Sequence, residues 1–298
     1  MGPPISEDKT KRARTAILWL SGCAGCEAAI LSLGRSLIQL YQGLLMDAFF
    51  LVEDSLPFSS QDTHYDYLLF TGAVATEGQL ALVEEGRRRS KRIIALGTCA
   101  THGGIPAMAN RLGLGAVSKE INPSVKRSGS VLPKFLPDVL ALDEVVTVDL
   151  LVPGCPPSPK ELKGLLKAMG QMGPRPTGGK SVCDHCPMER RGRFETKILR
   201  RLLPGSYPPS AILGNRCLLE EGFLCLGPVT LAGCGADGPP LCLKAHVPCR
   251  GCYGPVPGCH NQLLGMATIL STHGVSLEGL LDPGGLNRFI GAHGIYTR

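Results

Sequence analysis

The chain has 298 residues, 44% of them hydrophobic and 19% charged, with a formal net charge of +6. That length accommodates two domains that each bury a core, and despite 38 glycines and 24 prolines the composition excludes a collagen-like or wholly disordered chain. No apolar run approaches the roughly 18 uncharged residues of a membrane span, and aromatics at 5%, with no basic stripe among them, argue against a nucleic-acid surface.

Residues 1–14 carry Lys9, Lys11, Arg12 and Arg14 and are expected to be a flexible lead. Neither a long apolar region, a small-residue cleavage site nor an adjacent arginine pair marks them as an export signal, so the cytoplasm is the expected address. Ala16 to Leu20 is a strand-type run that delivers Cys23-Ala24-Gly25-Cys26 onto a glycine-flanked turn. From Glu27 to Tyr41 the apolar residues Ile30, Leu33, Leu37 and Leu40 fall at helical spacing, stopped near Gly43. Met46–Glu53 and Asp66–Phe70 are expected strands. Thr76 to Arg89 is an amphipathic helix, with Leu80 and Val83 inward and Arg87, Arg88 and Arg89 on a solvated face. Ile93–Leu96 is a buried strand leading straight into Gly97-Thr98-Cys99-Ala100, and residues 111–138 are expected to form a loop. Val145–Val152 is a last strand, closed by Pro153-Gly154-Cys155-Pro156-Pro157, and Ser158–Met169 resumes helical spacing.

Strands alternating with helices over residues 15–172 imply a parallel sheet covered on both faces, and ligands in such sheets bind beyond the carboxyl ends of the strands. Cys23, Cys26, Cys99 and Cys155 each follow a predicted strand, so four thiols from three strand ends are expected to converge at one edge. Beyond a Gly/Pro linker at 170–180, residues 173–298 form a second, loop-rich domain. Its cysteines are Cys183, Cys186, Cys217, Cys225, Cys234, Cys242, Cys249, Cys252 and Cys259. Long regular elements vanish here, and with little apolar sequence to bury, metal is expected to supply most of the folding energy.

Thirteen cysteines in a reducing compartment point to metal thiolates more than to disulfides. Structural zinc favours two knuckles of paired cysteines. One pair plus two distant singles suits an iron–sulfur cubane better, although zinc and buried free thiols remain alternatives on spacing alone. In the second domain the simple partition is Cys183, Cys186, Cys217 and Cys225 against Cys234, Cys242, Cys249 and Cys252. An interleaved one is equally compatible with the spacing, and Cys259 is the spare. His185 lies inside a cysteine pair that eight thiols already make sufficient. Glu27 and His102 are candidates for supporting roles beside the first four thiols.

The motifs Gly22-Cys23-Ala24-Gly25-Cys26, Gly97-Thr98-Cys99-Ala100 and Pro153-Gly154-Cys155-Pro156-Pro157, in this order, resemble the proximal-cluster motifs of nickel-iron hydrogenase small subunits. The same flavodoxin-like domain occurs in the cluster-bearing subunit of respiratory complex I, which carries adjacent cysteines at the first site where this chain keeps C-x-x-C. Cys217 through Pro228, Gly233-Cys234-Gly235 and Pro248-Cys249-Arg250-Gly251-Cys252 are similar to the cytosolic, cofactor-coupled hydrogenases linked to NADP, deazaflavin or heterodisulfide reductase. The resemblance implies three 4Fe-4S clusters, the proximal one on Cys23, Cys26, Cys99 and Cys155. It implies electron relay between the nickel-iron site of a separate large subunit and a flavin or iron–sulfur acceptor subunit. A complex-I-like relay whose large partner lacks nickel is the alternative. Three clusters at roughly −2 each with their thiolates would bring the charge of +6 near zero.

Overall fold

The structure is a computed structural model that describes residues 13–41, 44–49, 58, 63–121, 133–169, 179–195, 214–235, 238–275 and 286–296. Of the flexible lead expected at 1–14, residues 1–12 lie outside the described residues, as do the end of the second expected strand at 50–53 and most of the expected linker, whereas Ala13 and Arg14 already belong to the first strand, paired with Leu44 and Leu45.

Strands β1 (Ala13–Trp19), β2 (Leu44–Phe49), β3 (Tyr65–Thr71), β5 (Ser90–Leu96) and β7 (Leu150–Val152) form one parallel sheet in the order β2-β1-β3-β5-β7. This is the flavodoxin-like order, with its topological switch between β1 and β3. Alternation along each strand divides the core. Ala16, Leu18, Leu68, Phe70, Ile93 and Ala95 face one side, and Ile17, Leu69, Ile94 and Leu96 face the other, as a side-chain period of two requires. Helix α3 (Glu77–Arg88), capped by Thr76, covers the first face through Val83. It lies so flush that a methyl on Gly86 would sit 2.7 Å from Leu68 Cδ2 and 2.8 Å from Phe70 Cζ. The second face is covered by α1 (Gly25–Leu31) and by α6 (Pro159–Ala168), which buries Leu162, Leu165 and Leu166 behind a Ser158/Glu161 capping box.

Several expectations are corrected. The single helix over 27–41 is two, α1 and α2 (Arg35–Tyr41), because Gly34 takes φ +53 between them. The loop expected at 111–138 contains α5 (Leu114–Ile121) and β6 (Phe135–Leu140), and β6 pairs antiparallel with β4 (Val74–Thr76) as a separate small sheet. Pro137 is tolerated in so short an edge pair. The last strand is only residues 150–152. Val145, Val146 and Val148 reach the core from irregular backbone, and Asp149 Oδ2 accepts the N–H of Ile93 at 2.7 Å.

The arginine triplet is also more than a solvated face. Arg87 donates to Asp149 Oδ2 and to the carbonyls of Thr147, Ser90 and Lys91, while Arg88 and Arg89 share Glu85.

The C-terminal region has its own apolar core, against the expectation of little to bury. Val182, Leu218, Leu219, Phe223, Leu226, Val229 and Leu243 join Met266 and Leu270 of α7 (Gln262–Thr272). That helix comes from a stretch without any cysteine motif, and its Asn261 cap accepts the N–H of Leu264 at 3.2 Å. Residues 286–296 then cross back to the first region. Ile290 bridges Gly104, Asn110 Nδ2 donates to the Gly291 carbonyl at 3.1 Å, and Ala292 N donates to the His102 carbonyl at 3.3 Å.

Candidate metal centres

The carboxyl edge of the sheet assembles the first site turn by turn. After β1 the chain stays hydrogen-bonded to the β3 exit, with Leu20 N on Thr71 O at 2.8 Å and Ser21 N on Ala73 O at 2.9 Å. Ala24 at φ 59 then turns into α1, placing Cys23 before the helix and Cys26 inside its first turn. The turns after β5 and β7 are tied together by Gly97 N on Val152 O (2.8 Å) and Thr98 N on Gly154 O (2.9 Å). That tie brings Cys99, in α4 (Thr98–His102), toward Cys155.

Glycines line the thiols where a side chain would intrude. A methyl on Gly97 would fall on Cys26 Sγ, and one on Gly104 would sit 2.5 Å from Cys99 Sγ. Burial pushes the Cys26 thiol far up, with Glu27 and then Cys99, Cys155 and Cys23 adding to the shift. Cys99 is pushed up to about 12 by burial and then by Cys155, while an N–H from Ile105 opposes the shift. Burial and Cys23 raise Cys155. The four sequence-predicted thiols therefore share one electrostatic neighbourhood. As thiolates they would be costly without a cation, and a bound metal reverses that cost.

Two supporting candidates separate in role. Glu27 is buried at 1% exposure beside this site and accepts a hydrogen bond from Thr71, at the end of β3. His102 bonds Thr101 Oγ1 through Nδ1 at 2.7 Å, and its ring lies against Gly254, two residues beyond Cys252. Burial, then His293, lowers His102 to about 4, so the ring is neutral at ordinary pH.

In the C-terminal region the sulfurs of Cys183 and Cys225 flank one glycine, lying 3.0 and 3.6 Å from where Gly227 would carry a methyl. Cys183 rises to about 12 through burial, then Cys186, with Cys217 also contributing and Arg190 opposing. Cys225, also raised to about 12 by burial, feels Cys183 and Cys217. Cys252 rises to about 12 through burial, Cys234, Cys242 and then Cys155. Cys249 is buried and responds to Cys225, Cys242 and Cys252. Cys259 stands apart, its Sγ 3.6 Å from its Asn261 acceptor, and His185 is exposed.

Among the described residues no three His, Cys, Asp or Glu side chains close on the space of a single metal ion. Glycine cradles and sulfur-only donor sets fit a larger, soft, thiolate-bound group.

Sequence reasoning passed over Thr98, Tyr253 and Gln262. Thr98 stands in a quoted motif, and its place directly before Cys99 was the available signal. Tyr253 follows Cys252 and donates to Glu161, while accepting the N–H of Ser158 at 3.1 Å. Gln262, fully buried, abuts Gly251 in the Cys249–Cys252 turn; no motif announced it.

The family described as NADH ubiquinone oxidoreductase, 20 Kd subunit, matches residues 23–169, the sheet and its first site. Over nearly full length the chain is 30% identical to a subunit of the F420-non-reducing hydrogenase vhu of Methanococcus voltae, covering 93% of this chain and 95% of the relative. The chain belongs to the iron–sulfur small subunits of the hydrogenases. The iron–sulfur subunit of the F420-non-reducing hydrogenase of Archaeoglobus profundus is 34% identical over 82% of this chain and 83% of its own length. The [NiFeSe] hydrogenase of Desulfovibrio vulgaris Hildenborough shares the fold, with TM-score 0.52, 18% identity, and coverage of 82% of this chain and 94% of that one. Membership makes this hydrogenase small subunit an electron-transfer component of an oxidoreductase complex, with iron–sulfur as its cofactor. The complex-I-type match stops at residue 169, whereas the hydrogenase relatives continue through the C-terminal cysteines.

Proposed function

We propose that this subunit carries three 4Fe-4S clusters. Cys23, Cys26, Cys99 and Cys155 hold the inner one. Cys234, Cys242, Cys249 and Cys252 hold the middle one, and Cys183, Cys186, Cys217 and Cys225 the outer one. The clusters supply one-electron redox chemistry. The chain's residues supply thiolates, a water-poor surround and backbone N–H groups aimed at sulfur, such as Cys249 N at 3.2 Å from Cys225 Sγ.

The observation that carries the order is the pattern of sulfur neighbours. Cys252 feels Cys155 on one side, and Cys249 touches Cys225 on the other, so the middle set lies between the other two. Cys23 and Cys155 are exposed whereas Cys225 and Cys249 are buried, which suits an inner face covered by a nickel-iron large subunit. Electrons leave at the outer end, to a flavin or iron–sulfur subunit. The sheet unit, 15–172, and the cluster unit, 173–298, divide these tasks in the cytoplasm. Among the described residues no helix is long and apolar enough to cross a membrane.

The test is metal and acid-labile sulfide analysis of the co-purified complex, with cluster spectra of Cys99→Ser and Cys155→Ser. About twelve irons and twelve sulfides in this chain are expected, and each variant should lose the inner signal while the other two persist. An unchanged iron content and inner signal in either variant, or hydrogen-dependent dye reduction by the isolated chain, overturns the proposal.

A further inference from the structure

One hydroxyl joins the inner site to the middle one. Thr98 is 1% exposed and immediately precedes Cys99. Its Oγ1 accepts the N–H of Gly154, the residue before Cys155, at 2.9 Å, and donates to the backbone carbonyl of Cys252. A single side chain thus binds covalently next to one inner cysteine, by hydrogen bond next to a second, and by hydrogen bond to a cysteine of the neighbouring set. Nearby, the two regions also meet through Tyr253 and Glu161 and through the His102 ring against Gly254. Neither contact ends on a cysteine.

The Cys249–Cys252 turn is bonded on its far side as well, since Cys249 N donates to Cys225 Sγ at 3.2 Å and Leu226 N to Cys249 O at 2.9 Å. Gly251 at φ +85, seated on the buried Gln262 amide, lets the turn take both sets of bonds.

We propose that Thr98 is the positioning residue of the inner electron junction: its hydroxyl locks the Cys252 carbonyl against the Cys99 and Cys155 turns and completes a bonded path between inner and middle sites. This rests on the cluster assignments above. In the step concerned one electron is lost at the inner site and one gained at the middle site. Hydrogen oxidised in the large subunit is the reductant, and no bond or proton changes hands in this chain. A hydrogen bond in place of a gap of the same length strengthens coupling without altering either cysteine set.

The experiment uses the whole complex carrying Thr98→Val or Thr98→Ser. Valine keeps the β-branched shape and removes both bonds, whereas serine keeps the hydroxyl. The Thr98 N to Gly154 O bond and the Tyr253 staple remain to hold the turns in either variant. The readouts are iron and sulfide content, the midpoint potential of each cluster, and freeze-quenched paramagnetic spectra following the spread of electrons after hydrogen addition.

With valine, the inner signal is expected to appear at the wild-type rate and the middle signal severalfold later, at undiminished iron content, with serine restoring the wild-type rate. Equal rates in Thr98→Val and wild type overturn the proposal. So does loss of the inner cluster in both variants, which would make Thr98 an assembly residue. A wild-type complex that shows no separate inner and middle signals refutes the cluster assignment itself, and this inference with it.

Discussion

Replacing Gly97 by alanine tests the inner site at its tightest point. Gly97 sits at φ 89 and ψ 155 between β5 and α4, a conformation that costs an L-residue about 1–3 kcal/mol. Its new methyl would land on Cys26 Sγ, with the Gly154 carbonyl 3.6 Å away on the other side. Moving a thiol whose helix is packed against the sheet adds about 1–3 kcal/mol of overpacking. The sum, about 2–6 kcal/mol, should appear as a lower urea midpoint and, in the complex, as loss of the inner-cluster signal while the other two persist. Gly78→Ala is the control, because nothing lies within 4 Å of its added methyl. It should be neutral or stabilise α3 by up to about 1 kcal/mol. If Gly97→Ala unfolds within roughly 0.5 kcal/mol of wild type and keeps a full inner signal, the glycine cradle is not what shapes the site.

Cys259→Ser should leave iron, sulfide and all cluster spectra unchanged, whereas Cys225→Ser should lose the outer cluster; loss of iron in the first variant would place Cys259 among the ligands. Arg87→Ala should destabilise by about 1–3 kcal/mol, discounted for a side chain 27% exposed, since it strips four hydrogen bonds joining α3 to the β5 and β7 ends. Arg87→Lys should recover less than half of that in urea unfolding, because lysine cannot reproduce the fork. The His293 ring is raised above its ordinary value by its 2.8 Å hydrogen bond with Asp143, against burial. A raised folded-state value means stabilisation that is complete below the unfolded value near 6.5 and is lost as pH rises through the folded value. Asp143→Asn should therefore cost more stability at pH 5.5 than at pH 9, and an equal cost at both would show that the pair is not ionic.

Much of the sheet was legible because buried parallel strands announce themselves as short apolar runs. Leu68 to Phe70 and Ile93 to Leu96 need no partner to be recognised. The inner thiols were legible for a related reason: a cysteine in a glycine- or proline-rich turn right after such a run can only lie at the carboxyl edge. What failed depended on distant contacts. Leu114–Ile121 and Phe135–Leu140 lie between prolines and glycines that suggest a loop, and they become regular by packing Leu114 and Val139 with Ala73, Ala107 and Ala292. The apolar core of the second region was invisible because most of its members, such as Leu218, Phe223, Leu226, Val229 and Leu243, are scattered in short pieces among the cysteines, while Met266 and Leu270 come from a helix that begins about eighty residues after Cys183. The arginine triplet looks identical on paper whether it meets water or, as Arg87 does, four acceptors contributed by other elements. Thr98 carries no periodicity at all; its role exists only once residue 252 is folded against residue 98.

The strap at 286–296 has a bearing on how the subunit is made. Asn110 and the Gly291 carbonyl are 181 residues apart in the chain, so at roughly 5–20 residues per second a ribosome needs on the order of 10–35 s to supply the second partner after the first. Until then the Gly104 turn behind Cys99 has no Ile290 to pair with, and Gly103 lacks the Ala292 methyl that packs on it. The inner site is therefore laid down early and latched late.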